Sequence, residues 1–141
     1  MTTVLFACVH NAGRSQMAAA WFNRLADPAK ARAISAGTSP GARVHSEVVV
    51  VMSEEGFDLS TAGTTRLTRD LAEQVQLLIT MGCGDECPVV PGLRRDDWPL
   101  EDPKGKSLRQ VRAIRDEIRR RVEAMLGREG WSPAPPHGPG V

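Results

Sequence analysis

The stretch "FACVHNAGRSQM", residues 6–17, joins an apolar run to a helical pattern through a short polar loop. The run before it, "TTVLFACV", has the length and character of a buried strand. After it, residues 15–26 place Met17, Ala20, Trp21 and Leu25 on one helical face. Cys8 stands six positions before Arg14, with Ser15 next. In a chain with fifteen arginines that spacing is cheap. Its setting makes it informative. Between a strand and a helix, successive backbone N–H groups curl into an anion-binding nest, and the helix N-terminus adds partial positive charge. Ala12 and Gly13 leave room for close approach, and Asn11 tolerates the left-handed backbone of a tight loop. Arg14 matches two oxygens of a tetrahedral anion in a bidentate fork. Val9, His10, Asn11, Ala12, Gly13 and Arg14 are thus the candidate oxyanion-binding residues, with Cys8 as a thiolate nucleophile. Ser15 either donates to that thiolate or caps the helix.

Outward from this loop, strand-length and helix-length segments alternate. "RAISAG" (residues 32–37) is a second strand closed by Gly37, and "QLLITM" (76–81) a third. A helix is expected over 45–55, where Val44, Val48, Val51 and Met52 recur, although "VVVVM" by itself favours a strand. A helical fragment near 70–74 precedes the third strand, and a short strand is expected near 93–98. The last helix is the clearest, with an apolar stripe of Leu108, Val111, Ile114, Ile118, Val122 and Met125 or Leu126. Ser107 and Gln110 fit a capping box at its start, and Asp116–Arg120 and Glu117–Arg121 are spaced as surface ion pairs. Such alternation implies an α/β fold, a mostly parallel sheet with helices on both faces. Ligands then gather at the carboxyl ends of the strands, and Cys8, Cys83 and Asp102 each follow a strand. A neighbouring first and third strand would bring Cys8 and Cys83 together.

At 141 residues and net charge +1 the chain suits one domain, without the charge of a nucleic-acid arm. Residues 1–129 read as a single catalytic domain and the Pro/Gly-rich 130–141 as a disordered tail. The longest apolar run, Val48–Met52, is too short to cross a bilayer, and the N-terminus has no signal-peptide pattern; a cytoplasmic protein is expected. Three cysteines in a reducing compartment favour chemistry over stapling. "CGDEC" has the look of half a zinc site, but the remaining ligands are scattered, and no metal is expected.

"CVHNAGRS" matches the C-x5-R-S loop of the low-molecular-weight protein tyrosine phosphatases. Together with "SAG", "ITMGCGDECP" and "DDWPLEDPKGK", over residues 3–126, the chain resembles the arsenate reductases built on that fold. The resemblance implies a four-stranded parallel sheet flanked by helices, a flavodoxin-like three-layer sandwich. It implies Cys8 as the attacking group, Arg14 as the holder of the oxyanion and Asp102 as general acid. Cys83 and Cys87 would complete a thiol–disulfide relay, drawing on thioredoxin or on mycothiol with a glutaredoxin-like protein. Arsenate would be the substrate, phosphate a competing anion, weak phosphatase activity a residue of ancestry, and the molecule a monomer or weak dimer. The alternatives are a phosphatase of the same fold and a non-enzymatic oxyanion or redox sensor. The chain has no tyrosine, and Lys104-Gly105-Lys106 rather than aromatics follow Asp102-Pro103, which suits a small inorganic anion better than an aryl phosphate.

Overall fold

The computed structural model describes residues 1–82, 87 and 89–133. Strand β1 (Thr2–Cys8) is buried from Val4 to its end, because both of its faces are covered. Val4, Phe6 and Cys8 enter one apolar cluster, while Leu5 and Ala7 enter a second, as the two-residue period of a strand requires. β1 pairs in parallel with β2 (Ala31–Gly37) on one side and β3 (Leu77–Thr80) on the other, and β3 pairs in parallel with β4 (Arg94–Asp97). The order is β2-β1-β3-β4. The first and third strands are therefore neighbours, and the chain reverses its direction of progress across the sheet beside β1. Crevices form at such a switch point, and Cys8 ends the strand there.

The helices cover the two faces unequally. Residues of α1 (Arg14–Leu25), α2 (Ser46–Ser53) and α4 (Leu108–Glu129) build the larger cluster. On the other face the one helix among the described residues is the five-residue α3 (Arg69–Glu73), whose Ala72 joins Leu67, Val75, Leu78 and Cys87. α2 is helical despite its valine run, because Val48, Val51 and Met52 fall on one face and are buried there. Tertiary burial outweighs the local strand preference. α4 braces this helix: Arg112 and Arg115 bond Glu54 at 2.7 and 2.9 Å, and Arg115 also donates to the Val51 carbonyl at 2.9 Å. The hydrogen bond from Arg112 is the strongest influence holding the Glu54 carboxyl down at about 2; desolvation opposes it, and the Arg115 hydrogen bond and the two positive charges add to the lowering.

The capping box of Ser107 and Gln110 forms at the start of α4. Its apolar stripe is buried from Val111 to Leu126, whereas Leu108, in the first turn, stays exposed. Glu117 pairs with Arg121 at 3.0 Å as its spacing predicts. The predicted Asp116–Arg120 pair is not made. Asp116 bonds the adjacent Arg115 at 2.8 Å, and Arg120 turns to Glu117, also at 2.8 Å, since the buried Arg115 needs carboxylates around it. The folded part runs past residue 129. Gly130 caps α4 at φ 75°, the Trp131 ring lies 6.0 Å from that of Phe22, and its carbonyl accepts the Asp27 N–H at 2.8 Å. Trp131 thus extends the core. Residues 134–141 lie outside the described residues. No helix of the described residues is long and apolar enough to cross a membrane.

Candidate active site

The loop between β1 and α1 is defined by where its carbonyls go. Those of Cys8, Val9, His10 and Ala12 accept backbone N–H groups of Thr38, Ser39, Gly41 and His45 at 2.7–3.2 Å. That of Asn11 accepts the Gln16 side chain at 3.1 Å. In a trans peptide the C=O of one residue is antiparallel to the N–H of the next. Five carbonyls fastened outward therefore turn the N–H groups of residues 9–13 the opposite way, into one concave nest. Gly37 makes the fastening possible. A Cβ there would lie 2.6 Å from the Val9 carbonyl oxygen and 2.7 Å from the Asn11 nitrogen, so β2 approaches the loop this closely only with glycine. Sequence reasoning noted Gly37 as the end of a strand and missed this role. A strand-end glycine register-paired to the nucleophile was the available signal.

Asn11 is the one residue other than glycine with positive φ among those described, at 51°, and its side chain organises the interior of the loop. The amide Nδ2 donates to Ser15 Oγ at 2.8 Å, while Oδ1 accepts the Thr65 N–H at 2.9 Å and Gln16 Nε2 at 3.3 Å. Ser15 Oγ in turn lies 2.9 Å from Cys8 Sγ. A thiolate can only accept, so with Asn11 feeding one lone pair of the hydroxyl, its proton is directed at sulfur. Ser15 does not cap α1; the cap position is Gly13, and no side chain bonds the helix start. Of the two roles left open by the sequence, the structure places Ser15 in the one next to sulfur. Cys8 itself is a free, buried thiol.

Arg14 opens α1 and is buried, with 7% of its side chain exposed. Nη1 donates to the Leu100 carbonyl at 3.0 Å, and Nη2 stands 3.9 Å from Asp102 Oδ2. Its Nε is buried and has no hydrogen-bond partner among the described residues, a donor suited to an oxyanion. Asp102 is half-exposed, and Oδ1 accepts the Lys104 N–H at 3.0 Å. The segment carrying it is tied down twice. The Trp98 N–H bonds Thr80 at 2.8 Å, and Pro103 abuts Gly13, where a Cβ would lie 2.6 Å from Pro103 Cγ. Trp98 itself packs in the core beside Phe6, with ring centres 5.5 Å apart.

Cys8, Asn11, Arg14, Ser15 and Asp102 thus converge at the carboxyl ends of β1 and β4. His10 does not join them: Nδ1 donates to the Ser39 carbonyl at 3.0 Å. Beyond Asp102, Lys106 is paired with Glu101 at 3.2 Å. Cys87 is buried in the smaller cluster, on the far face of the sheet from Cys8, and is disulfide-bonded. Cys83 lies outside the described residues. Among the described residues no cluster of His, Cys, Asp or Glu has the makings of a metal site.

A parallel sheet with a thiol at its switch point, an outward-fastened loop and an arginine opening the next helix defines a family. Residues 3–130 match the low molecular weight phosphotyrosine protein phosphatase family, and the chain belongs to it. Within that family its relatives are of a particular kind. A Halobacterium salinarum protein, provisionally named an arsenate reductase, is 42% identical over 83% of this chain and 85% of its own length. The glutaredoxin arsenate reductase of Synechocystis is 33% identical over 91% of this chain and 98% of its own length. Among solved structures, the thioredoxin-dependent arsenate reductase of Corynebacterium glutamicum superposes with a TM-score of 0.78 at 38% identity, covering 91% of this chain; the present chain spans 61% of that one.

Proposed function

We propose that this protein reduces arsenate to arsenite with electrons from its own cysteines. The Cys8 thiolate attacks arsenic in the nest of residues 9–13, Arg14 holds two of the oxygens, and Asp102 protonates the departing oxygen as water. Cys83 then attacks Cys8 Sγ. The sulfur–arsenic bond breaks with its electron pair left on arsenic, so arsenite leaves and a Cys8–Cys83 disulfide remains. Cys87 next attacks Cys83, which frees Cys8 and moves the disulfide to the 83–87 loop. An external thiol reductant restores both cysteines with two electrons; thioredoxin, or mycothiol with a glutaredoxin-like protein, has the right chemistry in the cytoplasm. The observation that carries this reading is a free, buried Cys8 with Ser15 Oγ at 2.9 Å, in a chain 42% and 33% identical to proteins named arsenate reductases. Phosphate hydrolysis through Cys8 has no use for Cys83 and Cys87.

The test is one turnover of the fully reduced protein with arsenate and no added reductant, followed by peptide mass spectrometry. About one arsenite per chain and a Cys83–Cys87 disulfide are expected, with a trapped Cys8 adduct in Cys83→Ser. Intact thiols and no arsenite, together with aryl phosphate hydrolysis indifferent to Cys83→Ser, would establish a phosphatase instead. Disulfide formation that does not repeat when a reductant is supplied would establish a sensor.

A further inference from the structure

We infer that Gly82 is a positioning residue for Arg14, one that sets the grip of the oxyanion clamp by having no side chain. Met81 is held to β1 by its N–H on the Ala7 carbonyl at 2.7 Å, so the residue after it departs from a fixed point. There Gly82 adopts φ +97°, and a Cβ on it would overlap Arg14 Nη1 outright and stand 3.3 Å from Cζ and 3.6 Å from Nη2. The Nη1 end of the guanidinium thus occupies the space that a Gly82 side chain would take. Leu100 fixes Nη1 from another side, and Asp102 lies near Nη2. These contacts leave Nε as the partnerless donor.

The consequence of a side chain here differs from that at the other crowded glycines. At Gly37 the obstacle is backbone, and at Gly13 it is the Pro103 ring, neither of which can yield. At Gly82 it is the far end of a long, flexible side chain. A methyl group would displace the guanidinium and leave the sheet intact, so the loss falls on anion binding and spares the packing.

The inference rests on Arg14 being the oxyanion clamp, and it is tested without any reduction step. Inorganic phosphate is titrated against alkylation of Cys8 by iodoacetate, read by peptide mass, and the half-protecting concentration is compared among variants. Gly82→Ala is expected to raise that concentration about tenfold or more, the scale of one misplaced charge-assisted hydrogen bond. Gly92→Ala is the control for backbone strain. Gly92 has a similar φ of +80° and nothing within 4 Å of a Cβ, and its variant is expected to protect like wild type with a similar loss of melting temperature. Gly82→Asn, which tolerates positive φ better, is expected to follow Gly82→Ala. In an Arg14→Lys background, whose side chain lacks Nη1, Gly82→Ala is expected to change protection no further. Unchanged protection in Gly82→Ala, an equal effect in the Arg14→Lys background, or failure of both Gly82 variants to fold would overturn the inference. If Arg14→Lys alone leaves protection intact, the clamp reading fails instead.

Discussion

Asn11→Ala is expected to strike stability and chemistry together. The side chain is fully buried and makes three hydrogen bonds, to Ser15 at 2.8 Å, Thr65 at 2.9 Å and Gln16 at 3.3 Å. At about 1 kcal/mol net for each, their loss is worth roughly 3 kcal/mol. The backbone adds to this, since φ is 51° and alanine is disfavoured there by roughly 1 kcal/mol. Asn11→Ala should therefore destabilise by about 4 kcal/mol, and Asn11→Gly, free of the backbone penalty, by about 3 kcal/mol. For a domain of this size the larger value corresponds to a fall in melting temperature of roughly 10–20 °C. Urea denaturation of both variants, with calorimetry, measures the two numbers. Single-turnover arsenite release at a temperature where both are folded should be slowed in each, because Ser15 Oγ loses the donor that orients it. A loss below about 1 kcal/mol for Asn11→Ala, or an Asn11→Gly no more stable than Asn11→Ala, would refute the reasoning.

Ser15→Ala removes the only hydroxyl hydrogen-bonded to Cys8 Sγ among the described residues. It should slow Cys8 alkylation at neutral pH by about tenfold or more and destabilise by about 1–3 kcal/mol, because the buried Asn11 Nδ2 loses its acceptor; unchanged alkylation would contradict this. Asp102→Asn should lower turnover of arsenate by about a hundredfold or more if the carboxyl donates a proton in the first step, with phosphate protection of Cys8 largely kept; equal turnover would remove Asp102 from the chemistry. Glu54 has its carboxyl held at about 2, below the usual 4.5, by Arg112 first and Arg115 with it. A depressed folded value means stability present above 4.5 and lost as pH falls toward 2. The melting-temperature gap between wild type and Glu54→Gln should thus be full at pH 7 and narrow through that window, and a gap constant down to pH 3 would argue against the brace.

Some of this architecture was legible because its causes are local. The "LLI" centre of the "QLLITM" run is apolar, and it becomes a central strand buried on both faces. The stripe and capping box of the last helix need only neighbours three and four residues away, and they form nearly as read. Where tertiary surroundings supply the partner, local reading failed. Leu108 keeps the stripe's spacing but lies in the first turn, outside the cover of the other helices. Asp116 had a well-spaced Arg120 and bonded Arg115 instead, because that guanidinium is buried against α2. β4 does form within the expected 93–98, at Arg94–Asp97, although "RRDD" is exposed along its length and carries no hydrophobic pattern. It is a strand because β3 offers an open edge to pair with.

The loop itself divides in the same way. The identity of Cys8, Arg14 and Ser15, their placement between a strand and a helix, and the left-handed turn at Asn11 followed from the sequence, since backbone sterics and spacing act over a few residues. Only the tertiary structure decided that Ser15 serves the sulfur rather than the helix, because Asn11 and Cys8 are brought to it by the curl of the loop. It also decided that Gly37 admits the loop carbonyls, that Leu100 and Gly82 hold the guanidinium, and that His10 belongs to Ser39. These partners lie 29 to 86 residues away from the groups they serve in the hydrogen bonds to Ser39 and Leu100. Contacts of that range are fixed by strand order and register, and neither is written in any short stretch of the chain.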